Sequence, residues 1–239
     1  MRIVGHRGAR GEAPENTLGG FRHLRALGIR AVEFDIHVAG DGQLVVIHDA
    51  TLDRTTDGIG AVGEHDADSL ARCNAAIGHP DWPAFEPVPT LAQVLAELDD
   101  FTHIELEVKA RSSEDEAMVI EQLPLHWARF GLAGRARTTS FNPRYLHGMQ
   151  HAHPDIPRGF LFEDDFAGDP VAMALALGCT ALGPAQRRCT PELMQAAKAA
   201  GLFVSTWTVN DRDRTRALRD LGVDALITDQ PSAALTWLD

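Results

Sequence analysis

Hydrophobic and polar positions along the chain follow two periods. Short runs in which apolar residues are continuous or fall at every second position occupy 2–5, 31–36, 103–108, 136–140, 157–162, 180–182, 203–206 and 225–227, the pattern of strands. Between them, stretches with apolar residues three and four apart predict helices over 17–27, 91–98, 113–130, 143–150, 170–177, 191–200, 211–221 and 232–238. Helix starts carry capping residues beside proline, as in Thr190-Pro191 and Gln230-Pro231-Ser232, and ends carry glycine, as in Leu27-Gly28, Ala200-Gly201 and Leu221-Gly222. Eight strand-helix units in 239 residues predict an α/β fold of the (β/α)8 TIM barrel type, with parallel strands closed into a ring and right-handed crossovers placing the helices outside. A doubly wound sheet finds no support, because the spacing of Gly5, Gly8 and Gly11 is interrupted by His6 and Arg7 and opens no immediate helix.

The rhythm breaks once, over residues 40–90. An Asp41-Gly42 turn, an alternating stretch at 43–47 and then polar, Gly-rich sequence with Pro80 and Pro83 predict a small β-rich insertion after strand 2. It is expected to cap one face of a single domain spanning 1–239 rather than to fold separately.

Charge narrows the partners. Lys and Arg number 22 against 34 Asp and Glu, a formal charge of −12, which argues against a nucleic-acid partner. Cys73, Cys179 and Cys189 form no CxxC pair and are odd in number, which fits free thiols and a cytoplasmic location. No charged leader with an apolar stretch precedes the first strand and no run of eighteen apolar residues occurs, so neither export nor stable membrane association is expected.

Candidate chemistry gathers at the ends of the predicted strands, where loops of alternating strand-helix folds build active sites. Glu33 and Asp35 stand two apart on strand 2 and point to one side, and Glu107 and Lys109 repeat the arrangement on the next barrel strand. Neighbouring buried carboxylates repel unless a cation neutralises them, and an all-oxygen set favours one divalent cation, Mg2+ or Ca2+, over zinc. His6 and His48 suit a general acid and base near neutral pH. Arg7 and Lys109 supply fixed positive charge for a phosphate. Metal, two histidines and two cations together point to phosphoryl chemistry. The other histidines, among them His23, His37, His65 and His103, read as structural or surface residues. Trp207, at a strand end, reads equally as core filling or as an apolar wall for substrate; Asp229 reads as a supporting or helix-capping acid and Asn210 as the cap of the following helix.

The strings HRGARGEAPENT and EFDIHVAGDGQLVVIHDATLDRTTDGIG, the segments IELEVK and SFNP, and the closing TWTVN and ITDQP resemble, in order and spacing from residue 3 to residue 231, the glycerophosphodiester phosphodiesterases of the short bacterial cytoplasmic type. The resemblance implies a (β/α)8 barrel, Glu33, Asp35 and Glu107 as metal ligands, His6 and His48 as the acid-base pair, and Arg7 and Lys109 on the phosphate. It implies metal-dependent hydrolysis of small glycerophosphodiesters to sn-glycerol 3-phosphate and an alcohol. Action on lysophospholipids, as by a lysophospholipase D, would need an apolar rim, and a catalytically silent phosphodiester-binding protein would be expected to have lost a ligand or a histidine. Two departures stand out. Glu105 occupies a position where the family often carries Asn, adding an acid deeper in the barrel that would pair with a cation or alter metal preference. Gly183-Pro184-Ala185 stands where the family commonly has a polar residue, which puts any substrate contact from that strand in doubt.

Overall fold

The structure, a computed structural model, describes residues 1–238. In chain order the elements are β1 (Arg2–His6), α1 (Leu18–Ala26), β2 (Ala31–Val38), β3 (Leu44–Val46), α2 (Ala67–Leu70), α3 (Leu91–Glu97), β4 (His103–Val108), α4 (Ser113–Arg129), β5 (Ala136–Ser140), α5 (Pro143–Ala152), β6 (Arg158–Phe162), α6 (Pro170–Ala176), β7 (Ala181–Pro184), α7 (Pro191–Ala199), β8 (Phe203–Thr206), α8 (Arg212–Asp220), β9 (Ala225–Thr228) and α9 (Pro231–Trp237). Parallel pairing runs β1-β2-β4-β5-β6-β7-β8-β9, and β9 returns to β1 through Arg2↔Ala225 to Gly5↔Thr228. The ring is therefore closed, as the eight strand-helix units require.

Local chemistry explains the boundaries. Thr17, Ser112, Asn142, Asp169, Thr190 and Asp211 each accept a backbone N–H of the helix they precede, and Thr90 forms a reciprocal capping box with Gln93. The cap before α8 is Asp211, not Asn210, whose side chain is used elsewhere. Gly28, Gly201 and Gly222 have φ of 81°, 70° and 84°, the left-handed exit that ends a helix without a Cβ clash. Between strands and helices lies one apolar cluster containing Phe21, Leu24, Phe34, Leu95, Leu106, Tyr145 and Leu182; burying each such side chain contributes roughly 1.5–3 kcal/mol.

β2 runs two residues beyond its predicted end, because β3 pairs antiparallel with that extension from Ile36↔Val46 to Val38↔Leu44. An irregular segment does follow this strand, but it is not β-rich as expected: its β content is β3 and the isolated bridges Val45↔Thr90, Thr51↔Ala61 and Asn74↔Pro87, because its Gly-rich, polar sequence favours turns. Turns, a 3-10 turn at Val62–Glu64 and the short α2 make up most of the rest. It carries its own small apolar cluster, including Val45, Leu52, Val62, Leu70 and Val88. Glu86 ties it to the barrel by accepting Gly19 N at 3.0 Å, at the start of α1, and is itself held within the segment by Trp82 Nε1 at 3.0 Å.

Candidate active site

Alternation puts Glu33 and Asp35 of β2 beside Glu105 and Glu107 of β4, in the register Glu33↔Glu105 and Asp35↔Glu107. Glu33, Asp35 and Glu107 offer carboxylate oxygens that all lie within 4.8 Å of one another. Glu105, one level deeper, lines the same cavity as Glu33 and Glu107 and accepts from His103 Nε2 at 2.7 Å. Two cations face the three acids: Lys109 Nζ is 2.5 Å from Glu107 Oε1 and 3.3 Å from Asp35 Oδ1, and Arg7 Nε is 3.3 Å from Asp35 Oδ2. Three carboxyls against two cations leave an imbalance. Burial, then the charges of Asp35 and Glu107, push the Glu33 carboxyl well above its usual range, and burial and Asp35 raise Glu107 to about 7. Burial would raise Asp35 too, but Lys109 and Arg7 outweigh it and hold that group low. Glu33 Oε1 is buried with no hydrogen-bond partner. An unpaired buried oxygen among crowded acids is what a divalent cation would satisfy, so the donor set fits an oxygen-liganded ion.

Each histidine at this site is backed by an aspartate. His6, at the end of β1, meets Asp229 Oδ1 through Nδ1 at 2.6 Å, and its Nε2 is 3.9 Å from Glu33 Oε2. An ionised Asp can only accept, so the proton sits on Nδ1 and the Nε2 lone pair faces the acids. Asn210 Nδ2 donates to Asp229 Oδ2 at 2.7 Å, and Asn210 Oδ1 accepts from Asp229 N and Thr228 Oγ1. His48, in the insertion, meets Asp49 Oδ1 through Nδ1 at 2.5 Å, and His37 Nε2 donates to its carbonyl at 2.9 Å. Burial lowers both imidazoles below their ordinary pKa, with Asp229 opposing at His6 and Asp35 opposing at His48. The His6 side chain is 11% exposed and that of His48 29%.

The Arg7 side chain is fixed by Glu15, whose Oε1 accepts from Nη1 at 2.9 Å, while Arg7 N donates to Glu33 Oε2 at 3.2 Å. Arg7 and Asn16 have φ of 51° and 58°, a costly conformation for residues other than glycine. Together these turns send Arg7 over Asp35 and let Asn16 Nδ2 donate to Asp35 Oδ2 at 2.9 Å. Trp207 donates from Nε1 to Gly183 O at 2.9 Å and stands edge-on to Phe141, with centroids 5.4 Å apart. It lines a cavity of about 180 Å³ with His6, Arg7, Glu33, His48, Glu107 and Lys109. All eight residues singled out from sequence thus meet at one end of the barrel, the fully buried Asp35 through its contacts with Arg7 and Lys109. Gly183 contributes only backbone there, since a Cβ would lie 2.2 Å from Leu161 Cδ2.

Sequence reasoning passed over Glu15, Asn16, Asp49 and Arg54, although all four lie inside the quoted strings. Arg54 donates to Asp49 from Nε at 2.5 Å and Nη2 at 3.1 Å, and to Glu15 from Nη2 at 2.8 Å and Nη1 at 3.1 Å. His37, read as structural, holds the backbone of a site histidine. The signal available was the density of paired charges around each quoted histidine and arginine.

Comparison with known proteins gives one answer. A model of the glycerophosphoryl diester phosphodiesterase family matches residues 6–233. A glycerophosphodiester phosphodiesterase of Caldanaerobacter subterraneus subsp. tengcongensis is 30% identical over 98% of this chain and 96% of its own. A phosphodiesterase of Oleispira antarctica, solved in complex with the product sn-glycerol-3-phosphate, superposes with a TM-score of 0.92 at 27% identity, covering 100% of this chain and 97% of that one. A putative glycerophosphoryl diester phosphodiesterase of Silicibacter pomeroyi gives 0.90 at 28% identity, covering 100% and 93%.

Proposed function

The chain belongs to the glycerophosphoryl diester phosphodiesterase family, and from that premise we propose that it hydrolyses glycerophosphodiesters to sn-glycerol 3-phosphate and an alcohol, with one Mg2+ or Ca2+ held by Glu33, Asp35 and Glu107. The observation that carries this reading is the close acidic trio flanked by two aspartate-backed histidines. When bound, the ion would neutralise charge on the phosphate and lower the cost of attack at phosphorus. Arg7 and Lys109 grip the phosphate oxygens, Arg7 through a fork already aimed by Glu15. His6, the more enclosed imidazole and neutral through burial, takes the proton of the attacking oxygen on Nε2. Asp229 stabilises the imidazolium that results. His48, more open to solvent, delivers a proton to the departing alcohol from Nε2. Trp207 and Phe141 form an apolar wall beside the glycerol end. In this reading 1–239 is one domain and 40–90 is its insertion, which brings His48 to the barrel mouth. Among the described residues no helix is long and apolar enough to cross a membrane, in keeping with a small water-borne diester as substrate.

The test is release of glycerol 3-phosphate from glycerophosphocholine and glycerophosphoglycerol by metal-stripped protein, with Mg2+ or Ca2+ restored, beside the Glu33→Ala variant. Release that needs a metal and vanishes in the variant is expected. Metal-independent release would remove the trio from the mechanism, and no release under any metal would overturn the hydrolytic reading.

A further inference from the structure

At the opposite end of the barrel from the acidic trio, where the strands begin, lies a cleft of about 330 Å³ lined by Arg2, Thr102, His103, Arg135, Arg137 and Thr180. Arg2 and His103 open β1 and β4, Arg137 is the second residue of β5, and Thr180 immediately precedes β7. Three guanidinium groups and no carboxylate line the cleft among the described residues, in a chain whose acids outnumber its Lys and Arg by 34 to 22. The one ion pair that any of the three makes among the described residues joins Arg137 Nη1 to Glu105 Oε1 at 4.0 Å. That is too long for a hydrogen bond, and Arg137 Nη1 is buried with no hydrogen-bond partner. Arg135 donates to the carbonyls of Leu98, Phe101, Phe130 and Gly131, which fixes its guanidinium without neutralising it. Arg2 Nη1 donates to His103 Nδ1 at 2.5 Å, and an imidazole that accepts there brings no countercharge. Burial lowers Arg137 below its ordinary pKa and the charge of Arg2 adds to the lowering, with Glu105 and Asp224 opposing, which marks an excess of positive charge on the barrel floor.

We propose that this cleft is a second anion site, remote from the catalytic mouth, that takes a phosphate dianion, free or as a phosphomonoester. A buried guanidinium N–H without an acceptor is costly, and an oxyanion in the cleft would supply the acceptor. Guanidinium forks match the oxygens of a phosphate, which can accept from several sides at once. Residues on this face of a barrel ordinarily serve stability, and Arg135 does so by tying four carbonyls together. The Arg2 and Arg137 side chains hold no backbone group among the described residues, which leaves their donors to a ligand. The volume reaches the range of small-ligand pockets, roughly 300–1,000 Å³, and the exposed Thr102 and Thr180 at the rim give a polar border for an organic group beyond the phosphate. The inference does not depend on the hydrolytic reading, because no residue lines both this cleft and the catalytic cavity.

The experiment is equilibrium dialysis of radiolabelled inorganic phosphate against the full-length, Mg2+-loaded protein near neutral pH, in the wild type, in Arg2→Gln and in Arg137→Gln. The wild type should bind phosphate at the floor in addition to any bound at the mouth. Each variant should weaken the floor site by roughly tenfold or more, the scale of one charge-assisted hydrogen bond, and leave the remaining binding as it was. Arg2 is exposed, so Arg2→Gln keeps the fold and decides the matter should Arg137→Gln fail to fold. Phosphate binding that Arg2→Gln leaves unchanged in number and affinity would overturn the proposal. Displacement of the Arg2-dependent phosphate then separates the two sources: glycerol 3-phosphate acting at lower concentration than unlabelled phosphate identifies a phosphomonoester site, and equal concentrations identify a site for the free ion.

Discussion

At the scale of single residues, the site is organised by what stands behind the groups that would touch substrate. Asp229 fixes the tautomer of His6, and Asn210 fixes Asp229 by donating to one carboxylate oxygen while accepting from its backbone. Asp229→Asn should lower kcat by on the order of 10²-fold with KM little changed, because a neutral amide neither holds the proton on Nδ1 nor stabilises the imidazolium. Steady-state kinetics on glycerophosphocholine checks this; an unchanged kcat would assign Asp229 to structure alone. The residues proposed to react were legible in sequence because burying two acids at alternate positions of a strand makes sense only with a cation. The supports were less legible. Asp229 and His6 are 223 positions apart, and only closure of β9 onto β1 brings them together. Asn210 was read as a helix cap because Asn before a helical pattern usually is one, but Asp211, next to it, took that task.

At the scale of elements, the active site depends on how the insertion is held against the barrel. β1 and its following loop carry Arg7 and Glu15, the insertion carries His48 and Asp49, and Arg54 joins them with four hydrogen bonds to two carboxylates. Bidentate guanidinium pairs are directional as well as strong, so Arg54 sets the position of His48 relative to Arg7. Arg54→Ala should therefore cut kcat at least tenfold while leaving the barrel folded, and added guanidinium ion should restore part of the activity, whereas Arg54→Lys should not replace the fork. The clamp also has a pH signature. Hydrogen bonds from Arg54 hold Asp49 well below the usual carboxylate range, and at Glu15 Arg54 and Arg7 outweigh the opposing effect of burial. Folded-state pKa values below the unfolded ones contribute stability that is present above about pH 4 and is lost as pH falls through the folded values. Thermal unfolding should accordingly show a midpoint that drops below about pH 4 in the wild type and drops less steeply in Arg54→Ala; parallel curves would show that the clamp adds nothing to stability. Strands and helices of the barrel were readable because each buries a face with its own period. The insertion was readable only as an interruption, since Gly-rich and polar sequence specifies turns one at a time and leaves the docking to single contacts such as Glu86 on Gly19.

Across the whole molecule, charge inside the barrel is layered, and Glu105 belongs to the lower layer. Its carboxylate accepts from His103 Nε2 at 2.7 Å, and His103 Nδ1 in turn lies 2.5 Å from Arg2 Nη1. Arginine can only donate, so His103 carries its proton on Nε2 and the chain runs Arg2 to His103 to Glu105. Arg137 Nη1 approaches Glu105 Oε1 at 4.0 Å, while its guanidinium rests 4.0 Å from the centre of the Phe203 ring. Glu105, where the resemblance leads one to expect Asn, thus accepts from His103 and faces Arg137, while it shares the lining of the cavity with Glu33 and Glu107, the proposed ligands above it. Glu105→Gln keeps the shape and removes the carboxylate that faces half-buried Arg137 and accepts from His103, which costs roughly 1–3 kcal/mol. In a domain of this size that corresponds to a fall of roughly 2–12 °C in Tm. At temperatures where the variant remains folded, its kcat and its affinity for Mg2+ or Ca2+ should equal those of the wild type. Calorimetric unfolding measured beside metal titration decides the matter, for a change in metal affinity without loss of stability would place Glu105 in the upper layer, with the ligands rather than beneath them.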